Sequence, residues 1–565
     1  MVYLRATGAL AVLVTVLLWP ALTGGATPAS PIAAENALPG TTDWQRPGGG
    51  PEVYGSEIGA APGDVLHLHV STAARYRVVV YRLGWYGGAG ARLYACSPGC
   101  TTDEQGTVQP TPTSSQPLRA DWTVTDTIQT GSEWVSGYYL VEAVATTGES
   151  AGHAGATFVI LRQPADQAPS AILDQVPVNT WEAYNDWGGE SLYDYHHVPH
   201  GHAVSFDRPF DVNAQSPMWW EIQGVRFLER EGYDVSYQTD ADTERDAGSL
   251  LRHQLVIVGG HDEYWTIGMR IAFAAALAQG TNLVFLNSND AYWNMRYADG
   301  GRTIVTWKGN WDPEPVADLK TTMMREIGRP ECELMGVVNV SVASIPHTLD
   351  YTVTPAGAAD RWLRNTGLQA GDTIAGIVGR EHDQLNPWPD SCVHPGLVDL
   401  FHYAATGDQN SDAVRFTAPS GARVFASGAQ QFTWALDDWR SDGNPATHVS
   451  TMPWQGVPAD PRVQAFMRNV LDDLTRPAPP VLTAAYADPR HRLVHVSVRL
   501  PDDPRVHGFS AVIVGNDGKP QFLCTGTTSC TGIRPSQSGR LRVWVVSVDD
   551  WRRLSTAAAQ VVSAR

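Results

Sequence analysis

The sequence predicts a multidomain chain, α/β in its middle and all-β at both ends, with a doubly wound α/β domain between two β-sandwiches. Three observations lead there. A chain of 565 residues is too long for one hydrophobic core. Short β-rich runs separated by Gly, Ser, Thr and Pro fill residues 35–165 and again 478–565. Between them, apolar strand-like runs alternate with amphipathic helical ones.

The elements follow in order. Residues 1–34 open with Arg5, an apolar run broken by Pro20, and small residues between Ala26 and Ala34, the pattern of a secretory signal peptide. The run is short against the roughly 20 apolar residues of a membrane span. With no second such run, an exported, extracellular chain without a membrane span is expected. In residues 35–165, YRVVVYRLGWYGG, WTVTDT, SGYYLVEAVAT and HAGATFVIL suggest an immunoglobulin-like sandwich. In residues 166–477, AILDQV, YDVSYQTD, HQLVIVGG, NLVFLNSN and ARVFASG read as strands, several with the continuous apolar cores of buried parallel sheets. PMWWEIQGVRFLEREG, TIGMRIAFAAALAQG and DPRVQAFMRNVLDDLTR read as helices. The second has Thr266 as N-cap, Gly280 past its end and Ile267, Ile271, Ala274 and Ala278 along the face expected to pack. RPAPP marks the next boundary, and the period-two stretch over 478–565 resembles a fibronectin type III sandwich.

The net charge of −19 disfavours nucleic acid and anionic membrane as partners, because both require a basic face. The six cysteines suit an oxidising compartment. Cys96/Cys100 and Cys524/Cys530 each bracket a short loop, which leaves Cys332 and Cys392 as the third pair, although six cysteines allow 15 connectivities.

In open α/β sheets, ligands gather at the carboxyl ends of the strands. His261 and Glu263 follow LVIV in QLVIVGGHDEYWT, and Asn289 and Asp290 follow LVFL in LNSNDAYW. Tyr184 lies in NTWEAYNDWGG after AILDQV. All three segments should leave the sheet at one edge. The histidine-rich run SLYDYHHVPHGH raises a zinc alternative, with His196, His200 and His202 joined by Glu263. It lies on an irregular loop, however, and HDE lacks the helical His-Glu-x-x-His spacing. A cysteine nucleophile, as in glutamine amidotransferases of similar sheet topology, has no candidate in these turns. Neither turn carries a Gly-x-Ser-x-Gly.

Taken together, YRLGWYGGAGARLY, TWEAYNDWGGESLYDYH, GGHDEYWT, NSNDAYW and VFASGAQQFTWALDDW resemble the family named after the large (β) subunit of N,N-dimethylformamidase. The likeness runs over roughly residues 50–475. It implies a glutamine-amidotransferase-like α/β domain that hydrolyses the C–N bond of a small amide. It also implies a mononuclear ferric iron held by two tyrosinates and a glutamate. The residues matching those ligands are Tyr184, Tyr193 and Glu263, with Tyr195 as the fallback for the second tyrosine. His261, Asn289 and Lys308, and less securely Glu381, match the family's catalytic positions. The assignment is chemically coherent: phenols with pKa values of about 10 ligate as anions only around a strongly Lewis-acidic cation. Two phenolates and a carboxylate also balance three positive charges.

The expected partners are a small-molecule amide and, optionally, further copies of the same chain; no separate small subunit is evident. The rival reading is a non-catalytic exported binding protein, since 20 tryptophans and two sandwiches would suit attachment to carbohydrate or a cell surface.

Overall fold

The computed structural model of the chain describes residues 30–565 except 113–116, 194–200, 211–216, 310–311, 340–348, 380, 386–391, 405–409, 440–456, 476–479, 489–491, 502–505, 515–519, 534–538, 550–553, 556–557 and 565. It is a β-rich protein with two compact units, Ser30–Leu474 and one comprising Thr475–Arg565. The sequence boundary at 165/166 is therefore not a break in packing.

The larger unit begins on the short helix Pro31–Asn36, capped by the Ser30 hydroxyl, which accepts the Ala33 N–H. Ile32 and Glu35 of that helix are buried. This helix straddles the boundary expected at residue 34. Two sheets come next. The first pairs Glu52–Gly55, Val65–Ser71 and Asp126–Gln129. The second is built mainly from Ala154–Leu161, Gly137–Ala145, Arg75–Leu83 and Ala91–Ser97. Their facing side chains, among them Leu66, Leu68, Val78, Val80, Val141 and Val159, form one core.

A nine-stranded sheet organises the rest of this unit. Its strands are β1 (Ile172–Val176), β2 (Val235–Thr239), β3 (Leu255–Val258), β4 (Asn282–Phe285), β5 (Leu349–Val353), β6 (Thr373–Val378), β7 (Val398–Tyr403), β8 (Ser411–Thr417) and β9 (Arg423–Ala426). The order is β2-β1-β3-β4-β9-β8-β7-β5-β6. From β2 to β9 every pairing is parallel, and from β9 to β6 every pairing is antiparallel. The strand–helix alternation in the sequence therefore accounts for only one half of a mixed sheet. All four residues of β3 are fully buried, as befits a central parallel strand covered on both faces.

The helices of this unit include α1 (Val178–Tyr184), α2 (Ile222–Arg230), α3 (Ile267–Ala278) and α4 (Pro461–Leu474). Thr266 caps α3 as expected, its hydroxyl accepting the Met269 N–H. The expected packing face of α3 is corrected: Met269, Ala272, Phe273 and Ala276 turn inward, while Ile271 is 47% exposed. Ile267 and Ala274 of the expected stripe are half-buried against the same core, so choosing it by its isoleucines put it at the edge of the buried face rather than at its centre.

The sandwich and the mixed sheet are locked together by buried charge. Arg82 and Glu229 of α2 are both fully buried and meet at 2.7 Å. Tyr86 and Tyr237 complete that cluster, and the Tyr138 hydroxyl donates to Glu221 at 2.8 Å.

The smaller unit contains a three-stranded sheet (Val481–Asp488, Leu493–Arg499, Ser529–Ile533) and a four-stranded one built on Val506–Val514 and Gly539–Asp549. Alternate residues, including Val494, Val496, Phe509, Ile513, Leu541 and Val543, fill its core. The disulfides are Cys96–Cys100, Cys332–Cys392 and Cys524–Cys530, the pairing anticipated from spacing. Among the described residues, no helix is long and apolar enough to cross a membrane.

Candidate functional site

Three adjacent parallel strands, β1, β3 and β4, deliver side chains to one edge. After β1, Pro177 leads into α1, and Tyr184 is its last residue. After β3, Gly259 and Gly260 turn the chain toward His261 and Glu263. Both glycines are needed for close approach: a Cβ on Gly259 would lie 2.7 Å from an Asp174 carboxylate oxygen, and one on Gly260 2.4 Å from Glu221 Cγ. After β4 comes Asn289, with a left-handed φ of 58° that asparagine tolerates better than most residues. Its backbone N–H donates to Asp383 Oδ1 at 2.9 Å.

The two tyrosines and the glutamate converge. The Tyr184 hydroxyl donates to Glu263 Oε2 at 2.9 Å. The Tyr193 hydroxyl lies 3.1 Å from each Glu263 oxygen and 2.5 Å from the Tyr264 hydroxyl. The two rings stack at 4.3 Å between centroids with an interplanar angle of 22°. Glu263 is 3% exposed, and the Thr180 hydroxyl anchors its backbone by accepting its N–H at 2.9 Å. Tyr193 leaves 40% of its surface exposed but turns its hydroxyl inward. Burial, reinforced by the Glu263 carboxylate, holds both phenols well above their ordinary pKa. They are therefore neutral donors to a carboxylate when no cation is present.

A second layer surrounds this centre. His261 Nδ1–H donates to the Ser288 carbonyl at 2.9 Å. Its Nε2 lies 3.0 Å from Glu381 Oε2 and 3.6 Å from Glu263 Oε2. Burial alone would lower the His261 pKa, but Glu381 and Glu263 outweigh it and raise it well above the usual value. Asn289 Nδ2 donates to Glu381 Oε2 at 3.0 Å, and among the described residues the buried Asn289 Oδ1 has no hydrogen-bond partner. Lys308 Nζ sits 3.6 Å above the Tyr193 ring and donates to the Leu192 carbonyl at 2.7 Å. Burial brings the Lys308 pKa down to about 8, with Glu263 opposing the shift.

The structure thus brings Tyr184, Tyr193, Glu263, His261, Asn289, Lys308 and Glu381 into one cluster. Tyr195, His196 and His200 lie outside the described residues. His202 stacks on Trp307 at 4.1 Å. Arg296, a conceivable partner for Glu263, pairs instead with Asp312 at 2.8 Å. Sequence reasoning missed Tyr264 and Thr180 as supports. Tyr264 stood beside Glu263 in HDEYW, but nothing local told which way it faced.

The donor set suits a hard, highly charged cation: two phenolic oxygens and a carboxylate meet at a protein-lined point, with the acceptor Asn289 Oδ1 left over nearby. When the phenols ionise, the three groups carry three negative charges.

A family model described as N,N-dimethylformamidase beta subunit-like, C-terminal, matches residues 77–447. The match starts within the strand Arg75–Leu83 and spans every residue of the cluster. No curated protein matches the chain. Among solved structures, a Fn3-like protein from Clostridium thermocellum is 14% identical, covering 15% of this chain and 92% of its own with a TM-score of 0.14. Fibronectin(III)-like modules of CbhA from the same organism are 13% identical, covering 15% and 95%, with a TM-score of 0.12.

Proposed function

The chain belongs to the N,N-dimethylformamidase beta subunit-like family, and from that premise we propose that it is an exported, iron-dependent hydrolase of a small amide C–N bond. The observation carrying this reading is the convergence of the Tyr184 and Tyr193 hydroxyls on the two oxygens of Glu263. These three residues would hold ferric iron, which when bound supplies a Lewis acid for the amide carbonyl and for water.

The chain's own groups supply the rest. Glu381 and His261 sit 3.0 Å apart, a pair able to relay a proton from the attacking water to the departing amine. The Ser288 carbonyl fixes the ring by accepting from Nδ1, so Nε2 is the atom that exchanges the proton. Asn289 steers Glu381 through its amide N–H. Lys308, held over Tyr193, places a cationic donor where negative charge develops on the carbonyl oxygen, an effect worth roughly 3 kcal/mol per donor. Export is supported by the Arg5-led apolar run and by the three disulfides.

The test is direct. Purified protein should contain about one iron per chain, absorb visible light as ferric tyrosinate, and release formate from N,N-dimethylformamide or a close analogue. Glu263→Gln should abolish both colour and iron while leaving the far-UV circular dichroism unchanged. Iron retained at full occupancy in that variant would refute the ligand set.

A further inference from the structure

Strands β7 and β8 carry a second constellation, away from the Tyr184–Tyr193–Glu263 centre. His402 stands directly opposite Asp412 across the antiparallel pair, and Asp399 stands opposite Val414. In an unbroken strand, residues three apart face opposite sides. Here the register shifts between Asp399 and Phe401, so Leu400 is the extra residue of a β-bulge. The bulge returns Asp399 to the face of His402 and Asp412. One donor atom from each of the three lies within 4.8 Å of the other two.

The partners of these groups leave negative charge uncompensated. His402 Nδ1 lies 2.6 Å from Asp412 Oδ1, and Asp412 Oδ2 accepts the Leu385 N–H at 2.7 Å. Asp399 Oδ1 is shielded from solvent and, among the described residues, accepts no hydrogen bond. Among the described residues, neither carboxylate pairs with an arginine or lysine. The set is not sealed: the His402 side chain is 36% exposed, whereas that of Asp412 is 4% exposed. A cation therefore has a path in, and water can fill its remaining positions.

We propose that Asp399, His402 and Asp412 bind one divalent transition cation of the zinc class, independently of the Tyr184–Tyr193–Glu263 centre. One imidazole and two carboxylates form a borderline nitrogen–oxygen set that suits Zn²⁺ better than Mg²⁺ or Ca²⁺, which prefer all-oxygen sites. A divalent cation balances the charge of the two carboxylates. Through the Asp412–Leu385 bond, the cation braces the segment Glu381–Leu385 at its far end. Its role is structural.

The experiment uses the full chain, stripped with chelator and titrated with Zn²⁺ alone, as wild type, Asp399→Asn and His402→Gln. Wild type should bind one equivalent more than either variant, with affinity at that equivalent falling at least about tenfold in the variants. Because Asp399 Oδ1 makes no hydrogen bond, Asp399→Asn should fold as well as wild type without metal. Melting temperature then supplies a second readout: Zn²⁺ should raise it in wild type and not in Asp399→Asn. Equal zinc uptake by all three proteins, or an equal thermal response in wild type and Asp399→Asn, would overturn the assignment.

Discussion

Replacing Tyr193 by Phe isolates one oxygen. The ring keeps its stacking on Tyr184, centroids 4.3 Å apart, and its place under Lys308 Nζ at 3.6 Å. What disappears is the hydroxyl, with its contacts at 3.1 Å to each Glu263 oxygen and 2.5 Å to Tyr264. A hydrogen bond to a charged group contributes about 1.5–3 kcal/mol. Glu263 retains the Tyr184 donor at 2.9 Å, so the expected loss is about 1–2 kcal/mol, read by urea denaturation of the metal-free protein. Metal binding should suffer far more. Residues that merely support ligands cost roughly 10–100-fold when removed, so loss of a ligand should exceed roughly 100-fold. Elemental analysis and the visible band report it, with Tyr195→Phe as the matched control expected to behave as wild type. If Tyr193→Phe kept its iron and colour while Tyr195→Phe lost them, the assignment of the second tyrosine would fail. If both kept them, neither Tyr193 nor Tyr195 would be the second ligand.

Two further outcomes come from the same geometry. Glu381→Gln removes the carboxylate 3.0 Å from His261 but no proposed ligand. It should lower kcat for amide hydrolysis by about 100-fold with iron content unchanged, and an unaltered kcat would remove Glu381 from the proton path. The second concerns pH. Burial pushes the carboxyls of Glu142 and Glu221 up to about 8 and that of Asp383 up to about 7. Acids whose folded pKa lies above the unfolded value hold protons in the folded state that the unfolded chain has released. Stability from these groups is therefore lost as pH rises from about 4.5 to about 8. The metal-free chain should melt lower at about pH 8 than at about pH 5.5. A flat or rising melting temperature over that range would show that these groups are not buried as described.

Much of the candidate site could be read from local pattern. Tyr184, His261, Glu263 and Asn289 each follow an apolar strand, and adjacent parallel strands must end at a common edge, so their convergence needed no long-range information. Glu381 was less secure because it arrives after β6, at the far edge of the antiparallel half. It reaches the cluster through the pairing of Asp383 N–H with the Gly428 carbonyl, and no local period encodes such a pairing. Lys308 was suggested only by family likeness, and its left-handed φ of 50° is not written in any turn signature of TWKGN. The Asp399–His402–Asp412 set was invisible for a plainer reason. Three-residue spacing in a strand argues against a shared face, and only the bulge at Leu400 reverses that.

The Arg82–Glu229 pair bears on how this protein can be divided. Each partner is wholly enclosed and comes from a different layer, so a fragment trimmed to the α/β half alone would leave Glu229 without its counter-ion. Stranded buried charges of that kind cost about 3–5 kcal/mol, a large share of a typical domain's net stability. A break near residue 165 would therefore sever a buried contact rather than a linker.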